Sequence, residues 1–140
     1  MKKKETRAVL ERFVAALNDR DFDALEALVS PDVRRHSRAT PGLSVTSWIE
    51  LRAFLEQDFT TFPDARQTVL MTVAEDDHVA ARVRLSGTQG GPFGPLPPSG
   101  RSVETEFLTI LRIADGRIAE MWVEWDNLNI LGQLGADPLG

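Results

Sequence analysis

The sequence predicts an α+β fold in which helices pack on one face of an antiparallel sheet. Three observations carry that reading. Up to Pro63 the apolar residues recur at helical spacing, beyond it they alternate, and Gly/Pro-rich turns divide the alternating half into two hairpins. At 140 residues and 15.5 kDa the chain has the length of one domain. Folding is expected to leave about 7,200 Å² exposed of about 22,500 Å², enough for a sizeable core. No internal repeat or second composition interrupts it, so residues 1–140 are read as a single domain.

Val9, Leu10, Phe13, Val14 and Leu17 form one apolar stripe over a first helix from Lys3 to Asn18. Asp19-Arg20-Asp21 breaks it, and Phe22, Leu25, Leu28 and Val29 repeat the stripe over a shorter helix ending before Pro31. Residues 30–44, with two Pro and one Gly, read as a polar connection carrying His36. Ser47-Trp48-Ile49-Glu50 is a capping box: the Ser side chain accepts from an early helical N–H while the Glu reaches back to the Ser47 N–H. It starts a third helix that buries Leu51, Phe54, Leu55, Phe59 and Phe62 before Pro63 stops it.

Strands are expected over residues 67–74 and 78–86, the second alternating Val79, Ala81, Val83 and Leu85 against Ala80, Arg82, Arg84 and Ser86. Residues 90–100 hold four Gly and four of the eight Pro, a surface loop of the kind that often covers a pocket. The last hairpin runs from Ser102 to Ile113 and from Arg117 to Trp125. A three-residue loop, Ala114-Asp115-Gly116, puts Phe107, Thr109 and Leu111 on one face with Met121, Val123 and Trp125. The opposite face then carries Glu106, Leu108, Ile110 and Arg112 with Ile118, Glu120, Trp122 and Glu124. A two-residue loop mixes the apolar set with charges, so the three-residue loop is preferred.

The apolar face belongs under the helices. With the helix aromatics it can close over a hydrophobic small molecule, its walls drawn from Phe13, Leu17, Trp48, Phe54, Phe59, Phe107, Thr109, Met121, Val123 and Trp125. The other face exposes Leu108, Ile110 and Trp122, a patch that calls for a partner, and a homodimer or higher homo-oligomer through this face is the expectation.

Composition excludes several functions. The chain has no Cys, hence no disulfide, thiolate nucleophile or Cys-ligated metal, and its two His stand far apart without ligand-spaced carboxylates, so no metal site is expected. A net charge of −5 argues against nucleic-acid binding. Lys2-Lys3-Lys4 is followed by Glu5 and Arg7, and the apolar run from Phe13 to Leu17 is too short for a signal peptide or a membrane span. A soluble cytoplasmic protein is the expectation.

Several segments, in order along the chain, resemble the SnoaL-like polyketide cyclases, or ester cyclases, of the NTF2-like superfamily. These are Phe62-Pro63-Asp64, Ser86-Gly87-Thr88, Pro97-Pro98-Ser99-Gly100-Arg101, the run from Arg112 to Glu120, Trp122 and Gln133-Leu134-Gly135. The resemblance implies a cone of N-terminal helices on a strongly curved, mostly antiparallel sheet, a pocket between them, and an oligomer packed through the sheet. It also implies intramolecular aldol ring closure of a polyketide ester without cofactor or metal. In that chemistry a carboxylate removes a proton alpha to a carbonyl and a neighbouring acid protonates the developing oxyanion. The family's acid/base Asp and His positions fall at Val123 and Thr109, and Gln89 stands where relatives often carry His.

Acid/base candidates therefore lie elsewhere. His36 is placed near the pocket mouth, the competing reading being a solvated loop residue among Arg34, Arg35 and Arg38. Asp126 ends the last strand, where it can also cap a short turn from Asn127 to Ile130. His78 reads as an exposed turn residue, and Arg82 and Arg84 as partners of Glu104 or Glu106. The function expected is a cofactor-free cyclase or isomerase acting on a hydrophobic carbonyl compound. The alternatives are a binding protein that kept the pocket without the chemistry, and an epoxide hydrolase or dehydratase on the same fold.

Overall fold

The computed structural model describes residues 2–136. Helix α1 spans Lys2–Asp19, α2 Phe22–Leu28, α3 Trp48–Thr61 and α4 Asn127–Gln133; the strands are β1 Val29–His36, β2 Arg66–Glu75, β3 His78–Thr88, β4 Ser102–Ala114 and β5 Arg117–Trp125. The sheet order is β1-β5-β4-β3-β2, antiparallel except for β1, which runs parallel to β5. The helices cover one face of this curved sheet, the α+β arrangement expected from the sequence.

The apolar stripes explain the helices. Val9, Leu10, Phe13, Val14 and Leu17 are all buried on α1, and Leu51 and Leu55 on α3. Asp21 caps α2 by accepting from the Ala24 N–H at 3.0 Å. At α3 the Ser47 hydroxyl accepts from the Glu50 N–H at 3.1 Å, but the returning arm differs from the expected box. Glu50 Oε1 accepts from the Thr46 hydroxyl at 2.9 Å and not from the Ser47 N–H.

Two expectations are corrected. Residues 29–36 form β1 rather than the start of a polar connection: Val33 and Arg35 point inward, while Arg34 and His36 point outward. The strand is interrupted around Pro31, where its register shifts, and it pairs with a segment more than eighty residues away, so no local hairpin signal marks it. The last hairpin turns through two residues, Asp115 and Gly116, both at positive φ (53° and 73°), with Ala114 paired to Arg117. A bulge between Ile118 and Glu120 then restores the alternation. Phe107 pairs with Trp125, Thr109 with Val123 and Leu111 with Met121, so the expected apolar face exists, but Ile118 joins it, fully buried, instead of facing out.

The opposite face carries one row across all five strands, apolar as far as β5 and ending in a histidine: Val73, Ala80, Ile110, Trp122 and His36 are successive cross-strand neighbours. Met71, Val73, Leu108 and Ile110 are exposed on it. No helix among the described residues is long and apolar enough to cross a membrane.

Candidate functional site

Between the helices and the inner sheet face lies a cavity of about 460 Å³, within the range of small-molecule sites. It continues into a smaller chamber of about 60 Å³ against the sheet. Leu17, Phe54, Leu55, Asp58, Gln67 and Trp125 border both spaces and form the neck between them. The outer chamber adds Phe59, Phe62, Phe93 and Ile130; the inner one is floored by Phe107, Thr109, Met121 and Val123.

The mouth is framed by two segments. Asn127 Nδ2 donates to the Ala39 carbonyl at 2.7 Å, tying the start of α4 to the connection after β1. Across from it, residues 89–101 form a fastened loop whose Phe93, Gly94 and Pro95 line the cavity. Gln89, 1 % exposed, holds that loop from inside: its Nε2 donates to the carbonyls of Gly91 and Pro97, and its Oε1 accepts from the Ser99 N–H. Gly91 presses on α3 so closely that a Cβ there collides with the Thr60 carbonyl oxygen, which only glycine avoids.

Almost every wall is apolar, and the exceptions are instructive. Asp58 borders both chambers from α3. Burial pushes its carboxyl up to about 6, against the opposing pull of the Arg35 charge. Arg35, 8 % exposed, enters the inner chamber from β1, its guanidinium carbon 4.1 Å from the centre of the Phe54 ring. Its Nη1 donates to the Thr40 hydroxyl at 3.1 Å. Burial lowers its proton affinity, with the negative charges of Asp58 and Glu124 working the other way. Gln67 stands at the neck because Asn18 clamps its backbone: Oδ1 accepts from the Gln67 N–H at 2.8 Å and Nδ2 donates to its carbonyl at 2.9 Å.

Nine of the ten wall residues read from the sequence line one chamber or both: Phe13, Leu17, Phe54, Phe59, Phe107, Thr109, Met121, Val123 and Trp125. Trp48 is buried in the core instead. Thr109 and Val123 face each other across β4 and β5, and the Thr109 hydroxyl donates to the Trp122 carbonyl at 2.9 Å. Neither His36 nor Asp126 lines the cavity. His36 is on the outer sheet face, its Nε2 2.6 Å from Glu120 Oε2 and its ring stacked on Trp122. Asp126 caps α4, accepting from the Asn129 N–H at 3.0 Å. No three His, Asp or Glu side chains among the described residues converge as metal ligands.

A sequence profile of the SnoaL-like polyketide cyclases matches residues 7–134. The chain belongs to that family. Solved structures agree with the assignment. IdmH from Streptomyces antibioticus, a candidate polyketide cyclase, is 31 % identical, with 94 % of this chain and 99 % of that one covered and a TM-score of 0.83. AclR from Streptomyces galilaeus, a candidate hydroxylase, is 29 % identical over 95 % of this chain and 97 % of its own, also at 0.83. A candidate SnoaL-like cyclase from Jannaschia sp. CCS1 is 27 % identical over 97 % and 95 %, with a TM-score of 0.86. No curated protein sequence matches the chain.

Two residues of this site escaped the sequence reading. Asp58 carries a signal: Leu51, Phe54, Leu55, Asp58, Phe59 and Phe62 are spaced three, one, three, one and three apart, so an acid occupies the buried stripe of an amphipathic helix. Arg35 becomes visible only once β1 is recognised, since alternation from Val33 then turns it inward.

Proposed function

We propose that this SnoaL-like protein is a cofactor-independent acid/base enzyme acting on a hydrophobic, polyketide-like carbonyl compound, with Asp58 as the proton carrier. One observation carries the reading: a carboxyl raised to about 6 by burial stands at the neck of an apolar cavity of substrate size. A base with its proton affinity near working pH is ionised often enough to accept a proton and gives it up readily afterwards. In ring closure the Asp58 carboxylate takes the proton from the carbon alpha to a carbonyl. The resulting enolate carbon bonds to a second carbonyl carbon of the same molecule, and the oxygen that becomes an alkoxide takes up a proton. The apolar walls strengthen each of these charge interactions by excluding water.

A binding protein without turnover is the second reading, favoured by Thr109 and Val123, which put no titratable group on the inner floor. The assembly inferred with the first reading is a homodimer through the outer sheet face, where Leu108, Ile110 and Trp122 are joined by Met71 and Val73.

Turnover of a panel of aromatic polyketide esters separates these readings. Asp58→Asn is expected to lose about 10²- to 10⁴-fold in kcat/KM without a fall in melting temperature. Unchanged turnover in that variant, or a loss found only in His36→Ala or Asp126→Asn, overturns the assignment. Tight binding without turnover in the unmodified protein establishes the second reading instead.

A further inference from the structure

The inner chamber holds a buried cation whose hydrogen bonds are mostly unspent. A guanidinium has five N–H donors, and a single side-chain acceptor, the Thr40 hydroxyl, takes one from Arg35. Among the described residues Arg35 makes no ion pair. Two acids act on it from a distance. Asp58 stands on the neck, and Glu124 on the outer side spends Oε1 on the Arg38 N–H at 3.0 Å. Among the described residues no buried side-chain nitrogen or oxygen lacks a partner, so the guanidinium nitrogens without a bond border open space, and Arg35 borders two such spaces, the inner chamber and an outer groove shared with His36, Leu43 and Glu124. The space beside them on the inner side is the chamber, whose remaining walls are nearly all apolar.

A buried charge short of partners is costly, and a planar delocalised anion relieves that cost best, because it accepts two parallel N–H bonds from the guanidinium fork. The stacking of Arg35 on Phe54 and its bond to Thr40 fix the orientation of the fork before a ligand arrives. The two chambers then divide a ligand. The larger takes an aromatic or polycyclic body, and the smaller has room only for a compact group at its end.

We infer that Arg35 is an anion-binding residue of this site, and that its ligands are hydrophobic monoanions that present a carboxylate or an ionised 1,3-dicarbonyl to the inner chamber. The inference rests on the cavity being the substrate site and narrows the substrate class: whatever ester the compound carries, it presents an already ionised group to the inner chamber. Asp58 and Arg35 thereby have separate tasks, the first moving a proton at the neck and the second holding an oxygen beyond it.

Binding is measured by calorimetry with three probes of similar size: 2-naphthoate, its neutral methyl ester, and 1,3-indandione, an acidic diketone. The unmodified protein is expected to bind at least one anionic probe about tenfold or more tighter than the ester, the fold-change of one well-formed charged hydrogen bond. A preference for naphthoate assigns the carboxylate, and a preference for indandione the enolate. Arg35→Met is expected to abolish the preference and Arg35→Lys to keep part of it. Equal binding of all three probes by the unmodified protein overturns the inference, as does a preference that survives in a folded Arg35→Met. Because the probe comparison needs no variant, a misfolded Arg35→Met does not blunt it. Asp58→Asn separates the two proposals. If it retains the anion preference and loses turnover, both stand; if it retains both, only the proton-carrier assignment falls; if it loses turnover and no preference exists in the unmodified protein, only the anion site falls.

Discussion

Asp58 inside the cone and Glu120 on the outer sheet face are carboxylates whose surroundings push them in opposite directions. Glu120 bonds His36 at 2.6 Å and Arg112 at 3.3 Å, and these partners hold it below the usual carboxylate range. Asp77 beside His78 and Asp64 beneath the Thr88 N–H are lowered in the same way. Asp58 has the Arg35 charge nearby but no direct partner, and burial dominates. Outer charges are thus satisfied by protein and water, whereas the inner pair is left incomplete. A group that has its bonds already has little to offer a ligand, which is why the proposed chemistry lies on the inner wall although most titratable groups lie outside.

The outer face has its own incompleteness, which is apolar. Leu108 is 60 % exposed and Met71 and Val73 are each 55 % exposed; Val73 is on the row that continues through Ile110 to Trp122, and Met71 and Leu108 are on the row beside it. If this face is covered by a second copy, Trp122→Glu or Leu108→Glu buries an unpaired charge at the contact. Either is expected to weaken association by about 3 kcal/mol or more, a shift from dimer to monomer visible by native mass spectrometry. A monomer in the unmodified protein removes the dimer from the reading and leaves the inner site as it stands.

The inner carboxyl makes a prediction of opposite sign to the outer ones. With Asp58 raised from 3.8 to about 6 by folding, its ionisation opposes the folded state. The penalty is absent below about pH 4, where the group is protonated in both states, and complete above about pH 6, where it approaches 3 kcal/mol. Asp58→Asn is therefore expected to melt with the unmodified protein near pH 4 and at a higher temperature near pH 7. Glu120, Asp77 and Asp64 behave conversely. Their contributions are present above the ordinary carboxylate range and are lost as pH falls through their lowered values. Coincident melting curves at pH 7 refute the desolvated state of Asp58.

The same contrast explains what was legible in the sequence. Helical stripes, the capping Ser47 and the alternation of β3 and β4 are local patterns, and each element they imply is present. Phe107, Thr109 and Leu111 share a face with Met121, Val123 and Trp125 under either turn length, because the bulge before Glu120 restores the parity that the two-residue turn removes. Strand β1 has only a distant parallel partner. Missing it set His36 in a loop at the pocket mouth, when alternation puts it outside, and hid Arg35, which alternation puts inside. Asp58 needed a different question of the same stripe: which of its residues is too polar to be there without a purpose. An acid on the buried face of α3 answers that from the sequence alone.

The smallest expected effect bears on the outer charges themselves. Arg82 and Glu106 reach each other diagonally across β3 and β4, Arg82 being paired with Leu108 and Glu106 with Arg84, with Nη1 and Oε1 3.1 Å apart, and both side chains are nearly half exposed. A double-mutant cycle with Arg82→Ala and Glu106→Ala is expected to give a coupling of about 0.2 to 1 kcal/mol, falling further with added salt. A larger and salt-insensitive coupling means that the pair is covered in solution. The second copy inferred from Leu108 and Trp122 must then extend over it, since Glu106 and Leu108 lie two residues apart on the same face of β4. This exposed pair thus reports independently on how far the partner reaches.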